Sequence, residues 1–150
     1  MKKYSRQREL ILNSLKTRTD HPTAEKLYLD LKNEMPELGI ATVYRNLSEL
    51  CDEGHIIRIK TSIGADRFDG NTMPHIHFEC KDCGKISDIY LFEMQMKKLD
   101  NDLKNFAKGI DAEASGSNIT ITGLCRKCKL NKKGEKIVWK NGDAKYVDMK

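Results

Sequence analysis

Two α+β units are predicted for this chain: a winged helix-turn-helix at the N-terminus, then a small α/β unit braced by a structural metal. Three observations lead there. Apolar residues recur at helical spacing in three successive stretches before Gly54, and two β-rich runs around a turn follow them. Beyond Pro74, strand-like runs bracket one longer amphipathic stretch. Two Cys-x-x-Cys pairs, Cys80 with Cys83 and Cys125 with Cys128, frame this second part, a spacing suited to tetrahedral thiolate coordination of Zn(II).

A chain of 150 residues can bury a real core, as one domain or two small ones. No apolar run of about 18 residues, the length of a membrane span, occurs. Met1 leads into Lys2 and Lys3 rather than an apolar stretch, so no secretory signal is read. Five cysteines, four of them in Cys-x-x-Cys pairs, suit metal ligation in a reducing cytoplasm better than a disulfide framework. The net charge is +5, and its distribution says more: 12 basic against 10 acidic residues over 1–68, 8 against 9 over 69–128, and 7 against 3 over 129–150. Basic charge at both ends suggests a polyanionic partner.

Taken in order, Leu10, Ile11, Leu12 and Leu15 predict a first helix from Tyr4 to Leu15. In HPTAEKLYLDLKNEMPELG, Pro22 and Thr23 suit a helix start, Leu27, Leu31 and Met35 recur at helical spacing, and Pro36 is expected to stop the helix. A short turn leads to IATVYRNLSELCDEG, where Val43, Leu47, Leu50 and Cys51 share a face and Gly54 ends it. Thr42, Tyr44, Arg45 and Asn46 are then expected to face outward near its start. Two helices joined by a short turn match a helix-turn-helix, whose second helix reads the major groove. The runs flanking Ser62 to Gly64 read as a hairpin, the wing.

Residues 69–74 (DGNTMP) read as a loop and hinge. HIHFEC and KISDIYL are strand-like. Phe92, Met96, Leu99, Leu103 and Phe106 step by four and three as a helix with a narrow apolar seam. Further strands are expected at Ile110 to Ala114 and Ile119 to Thr122, around SGSN. Such a small unit needs a partner subunit or a metal to be stable. The tail from Lys129 is basic, and its KIVWK reads as a short strand of unassigned role.

The four cysteines form a closed set with no position for substrate, which argues for scaffolding. A second set is less specific. His75 and His77 alternate on a strand and so face one way, with Asp69, Asp88 and His21 as further donors to the same ion. Imidazole mixed with carboxylate favours Fe(II), Mn(II) or Zn(II). His55 reads as an ordinary turn residue and Cys51 as core.

Together HPTAEKLY, ATVYRNL, RFDG, HIHFECKDCGKISD and the closing CRKC resemble the ferric uptake regulator family of bacterial metal-dependent repressors, over about residues 4–130. Within it, the peroxide-responsive branch is the nearest match. The resemblance implies a winged-helix DNA-binding domain at 1–68, a hinge at 69–74 and a metal-binding dimerisation domain at 75–128, with the basic tail at 129–150 lying beyond it. It implies a regulatory Fe(II) or Mn(II) ion on His21, Asp69, His75, His77 and Asp88, and Zn(II) on the four cysteines. Regulators of iron uptake more often carry Glu where Asp88 stands, and use a further histidine in a segment where EASGSNITITG has none. Arg45, by contrast, looks more like the iron regulators, and the tail is longer than the family's.

The implied function is that of a homodimeric repressor of a double-stranded DNA operator, not an enzyme. Tyr44 and Arg45 would read bases, with Thr42 and Asn46 beside them, while Lys2, Lys3 and Arg6 would contact phosphates. Peroxide would act by oxidising a ligating histidine, His21 or His75. An iron, manganese or zinc uptake regulator is the alternative. A zinc metallohydrolase is more remote, because no general base stands apart from the proposed ligands.

Overall fold

In this computed structural model residues 5–132 are described in full, and 135–140 and 143–148 by their backbone. Packing divides the chain into two units, Met1–Pro74 and His75–Lys150.

The first unit opens with α1 (Arg6–Lys16), whose N-terminus Ser5 caps by accepting the Arg8 N–H at 3.2 Å. A cap of this kind is worth about 1 kcal/mol. Thr23 does the same for α2 (Ala24–Lys32), accepting from the Lys26 N–H at 3.1 Å. The helix then ends at Lys32, short of the stop expected at Pro36. The N–H groups of Glu34 and Met35 both return to the Leu31 carbonyl, at 3.1 and 2.9 Å, and this tightened turn uses up the helix end. Met35 is still core, but it reaches the interior from the turn.

Next, α3 (Ile40–Asp52) turns Val43, Leu47 and Leu50 inward against Ile11, Leu15, Leu27 and Leu31. Its exit runs through Gly54, at φ 76°, a left-handed conformation that glycine adopts without a Cβ clash. The wing is β1 (Ile57–Ile59) paired antiparallel with β2 (Arg67–Asp69), in the register Ile57 with Asp69 and Ile59 with Arg67. The hydroxyl of Thr61 serves the carbonyls of Ile63, Gly64 and Ala65 inside the tip. Arg8 is buried and ion-paired with Glu49, at 3.3 Å, and with Glu53. Arg8 therefore ties α1 to α3.

In the second unit, β3 (Ile76–Cys80) is central. It pairs antiparallel with β4 (Ile86–Ile89) and parallel with β5 (Thr120–Gly123). Parallel neighbours need a long crossover, and here it contains α4 (Glu93–Lys108). The strand expected at Ile110 to Ala114 does not form. Past α4, the Ala112 N–H returns to the Ala107 carbonyl at 3.0 Å and Asp111 takes a φ of 59°, so the chain unwinds through a turn. A short α5 (Arg126–Lys132) follows β5, and the tail continues as β6 (Glu135–Lys140) antiparallel to β7 (Asp143–Asp148). The strand expected at KIVWK is thus part of a hairpin.

The two units are stabilised differently. The main apolar cluster lies wholly in the first. In the second, the buried apolar residues among those described are Ile76, Ile86, Cys80 and Cys128. No residue of α4 is buried, and Phe92 and Phe106 are 81% and 72% exposed.

Candidate metal centres and nucleic-acid face

The sheet register assembles the thiolate cluster. Cys80 ends β3, opposite Gly123 of β5, so the chain leaving β5 delivers Cys125 and Cys128 to the place where β3 delivers Cys80 and Cys83. The Gly84 N–H bonds the Cys80 carbonyl at 2.9 Å, and Gly84 takes a φ of 72°, turning the chain from the first pair into β4. All four sulfurs fall within 4.8 Å of one another, Cys83 and Cys125 at 3.8 Å. Zn–S bonds of about 2.3 Å place the sulfurs of a tetrahedron about 3.8 Å apart, so the residues fit Zn(II). The Cys125 N–H donates to the Cys80 sulfur at 3.3 Å. With the Cys83 N–H, it lowers the Cys80 thiol to about 6, while burial pushes Cys128 up.

The imidazole and carboxylate donors form two sets, one in each unit. In the second unit, His77 lies directly across from Asp88 in the β3–β4 ladder, so the pairing itself brings them together. The Nε2 atoms of His75 and His77 are 2.9 Å apart, and Asp88 Oδ1 lies 3.3 and 3.5 Å from them. Three such donors around one point suit a divalent ion of borderline softness. Sequence reasoning missed Tyr90, whose O–H donates to Asp88 Oδ2 at 3.1 Å and whose ring lies 5.6 Å from that of His75. The available signal was its two-residue offset from Asp88, which on extended chain just past β4 returns it to the same side.

In the first unit, His21 and Asp69 are both 3% exposed, with Nε2 and Oδ2 3.5 Å apart. Strand β2 positions both. The Phe68 N–H bonds the Pro22 carbonyl at 3.0 Å, and Arg67 Nη1 donates to the His21 carbonyl at 3.2 Å. Arg67 was also missed. His21 has a φ of 48°, uncommon for a residue with a side chain, and outliers of this kind concentrate at functional sites. Gly70 follows because a Cβ there would come within 2.5 Å of the Leu15 backbone.

On α3, Tyr44 and Arg45 are exposed and Thr42 is half-buried. Asn46 is not outward as expected. It is 6% exposed, and its amide donates to the Thr42 carbonyl at 2.8 Å, because it falls three residues after Val43 on the core face. Arg6 is exposed on α1, while Lys2 and Lys3 lie outside the described residues. Cys51 is half-buried against the core.

A winged helix-turn-helix joined to a thiolate cluster and imidazole–carboxylate donors defines a metal-responsive, DNA-binding regulator. Residues 2–113 match the ferric uptake regulator family, and the chain belongs to that family, whose members are regulators rather than enzymes. The chain is 32% identical over 124 residues to the peroxide-responsive repressor PerR of Staphylococcus aureus (strain USA300), spanning 82% of this chain and 80% of that protein. Among solved structures, the peroxide stress regulator of Campylobacter jejuni matches with a TM-score of 0.70 at 29% identity, covering 81% of this chain and 88% of that one. The ferric uptake regulator Fur of Helicobacter pylori, described as having three functional metal binding sites, matches with a TM-score of 0.69 at 25% identity, covering 85% and 82%. No helix among the described residues is long and apolar enough to cross a membrane.

Proposed function

We propose that this protein is a homodimeric, metal-dependent repressor that binds a DNA operator and releases it on exposure to peroxide. The observation that carries the reading is Asp88 within 3.5 Å of both the His75 and the His77 imidazole, a second donor pair being His21 and Asp69. The likeness to the Staphylococcus aureus repressor supports it.

In this reading, His21 and Asp69 of the first unit and His75, His77 and Asp88 of the second share one Fe(II) or Mn(II) ion, while Cys80, Cys83, Cys125 and Cys128 hold Zn(II). Sharing an ion restrains the two units against each other, and in a dimer that sets the spacing of the two α3 helices. An operator with half-sites at that spacing binds better, by couplings of about 1 to 3 kcal/mol. When bound, Fe(II) supplies the electron that cleaves peroxide beside the ligands, which Mn(II) does not readily do. His21 or His75, once oxidised on its ring, is a poorer donor, the restraint is lost and the operator is released. The exposed apolar residues of α4 suit burial against a second copy.

Treating the Fe(II)-loaded protein with peroxide is expected to add one oxygen atom to the peptide holding His21 or His75, read by mass spectrometry. His21→Ala is expected to remove metal-stimulated operator binding, a loss of about 5- to 150-fold, while the four-cysteine zinc stays. Iron-loaded protein that keeps its operator and gains no oxygen contradicts peroxide sensing and indicates an uptake regulator.

A further inference from the structure

Tyr44 stands on the exposed start of α3, and its O–H is donated to the carboxylate of Glu25, in the first turn of α2. Glu25 is a constant acceptor. The Tyr44 hydrogen bond, with help from its own N–H and the Thr23 hydroxyl, holds its carboxyl below the usual range. A carboxylate is also favoured at a helix N-terminus. Both residues line a cavity of about 150 Å³, together with Arg58, Asp66 and Phe68 from the wing.

A phenol has one proton to donate. Here that proton is committed within the protein, so Tyr44 presents lone pairs and a ring edge to anything in front of α3. In the major groove, adenine N6 and cytosine N4 are donors and thymine carries a methyl group, whereas guanine offers only the acceptors O6 and N7.

We propose that Glu25 is a specificity-determining positioning residue: by accepting the Tyr44 hydrogen bond it makes the Tyr44 oxygen an acceptor-only reader, favouring an amino group and rejecting guanine. The inference rests on α3 being the base-reading helix, and two experiments separate the claims.

The first needs no DNA. In protein carrying carbon-13 tyrosine, the Tyr44 signal is identified by its loss in Tyr44→Phe and titrated in wild type, Glu25→Gln and Glu25→Ala, with Arg58 and Asp66 as the other charged groups at the cavity. Glu25→Ala is expected to let Tyr44 ionise at lower pH than in wild type. An unchanged titration overturns the latch.

The second selects an operator from random duplexes with the Mn(II)-loaded wild type, then substitutes each base pair in turn. Wild type and Glu25→Gln are expected to reject guanine at one position per half-site by about 5- to 150-fold, the usual cost of one mismatched base pair. Glu25→Ala is expected to accept it within a few fold, and Tyr44→Phe to lose the preference for an amino donor. A wild-type profile in Glu25→Ala, or in Tyr44→Phe, overturns the specificity role. Enrichment of no sequence by wild type overturns the base-reading function and the specificity role with it, whatever the titration shows.

Discussion

Cys80 and Cys128 share a cluster but hold their protons differently. Backbone N–H groups stabilise the Cys80 thiolate, whereas burial keeps Cys128 protonated. Zinc needs all four as thiolates, so its binding releases protons and weakens as pH falls. Chelator competition is expected to show zinc affinity dropping steadily below neutral pH, and a flat profile would contradict four-thiolate ligation. The fifth cysteine, Cys51, is pushed up by burial against the opposing influence of Arg58. Zinc-loaded protein is therefore expected to show no fast thiol towards an aromatic disulfide reagent, and after chelation Cys80 is expected to react first and Cys128 last. His21 keeps a left-handed backbone that glycine would adopt more easily, and only its ring gives a reason for histidine there.

Among the elements, β2 does the most positioning per residue. Arg67 holds the His21 carbonyl, Asp69 faces its ring, and Gly70 lets the strand end lie against α1. Gly70→Ala is expected to destabilise the first unit by about 1 to 3 kcal/mol and to lower Mn(II) affinity, read by urea unfolding and metal titration. Just before His21, Arg18 bonds Asp20 and Asp30 at 2.8 Å each. Arg18 holds Asp20 below the usual carboxylate range, and Lys26 first and then Arg18 do so for Asp30. Carboxyls lowered in the folded state add stability above their unfolded pKa and lose it as pH falls through the folded one. Arg18→Ala is thus expected to cost about 1 kcal/mol or less at pH 7, since both carboxylates reach solvent, with the thermal unfolding curves converging as the carboxyls protonate. The three helices, the Thr23 cap and the Cys-x-x-Cys pairs were legible in the sequence, because local spacing and capping chemistry decide them. Asn46 was misread because its polar type was weighed above its place three residues after Val43. The strand expected at Ile110 to Ala114 had β-favouring residues but sits where α4 unwinds. Arg67 acts across the fold, through the His21 carbonyl, which no motif marks, and Tyr90 meets the His75 ring from just beyond β4.

At the scale of the molecule, one unit has its own apolar core, and the other has few buried apolar residues among those described and a cluster of four cysteines. That asymmetry suits a regulator whose second unit is a scaffold for ligands and whose first carries the reading helix. In the proposed function the imidazole–carboxylate donors couple peroxide to DNA through iron. Operator binding by Fe(II)-loaded and Mn(II)-loaded protein, each before and after peroxide, tests that coupling. Loss of binding in the iron form alone is the predicted result; equal binding before and after peroxide in both forms would contradict it.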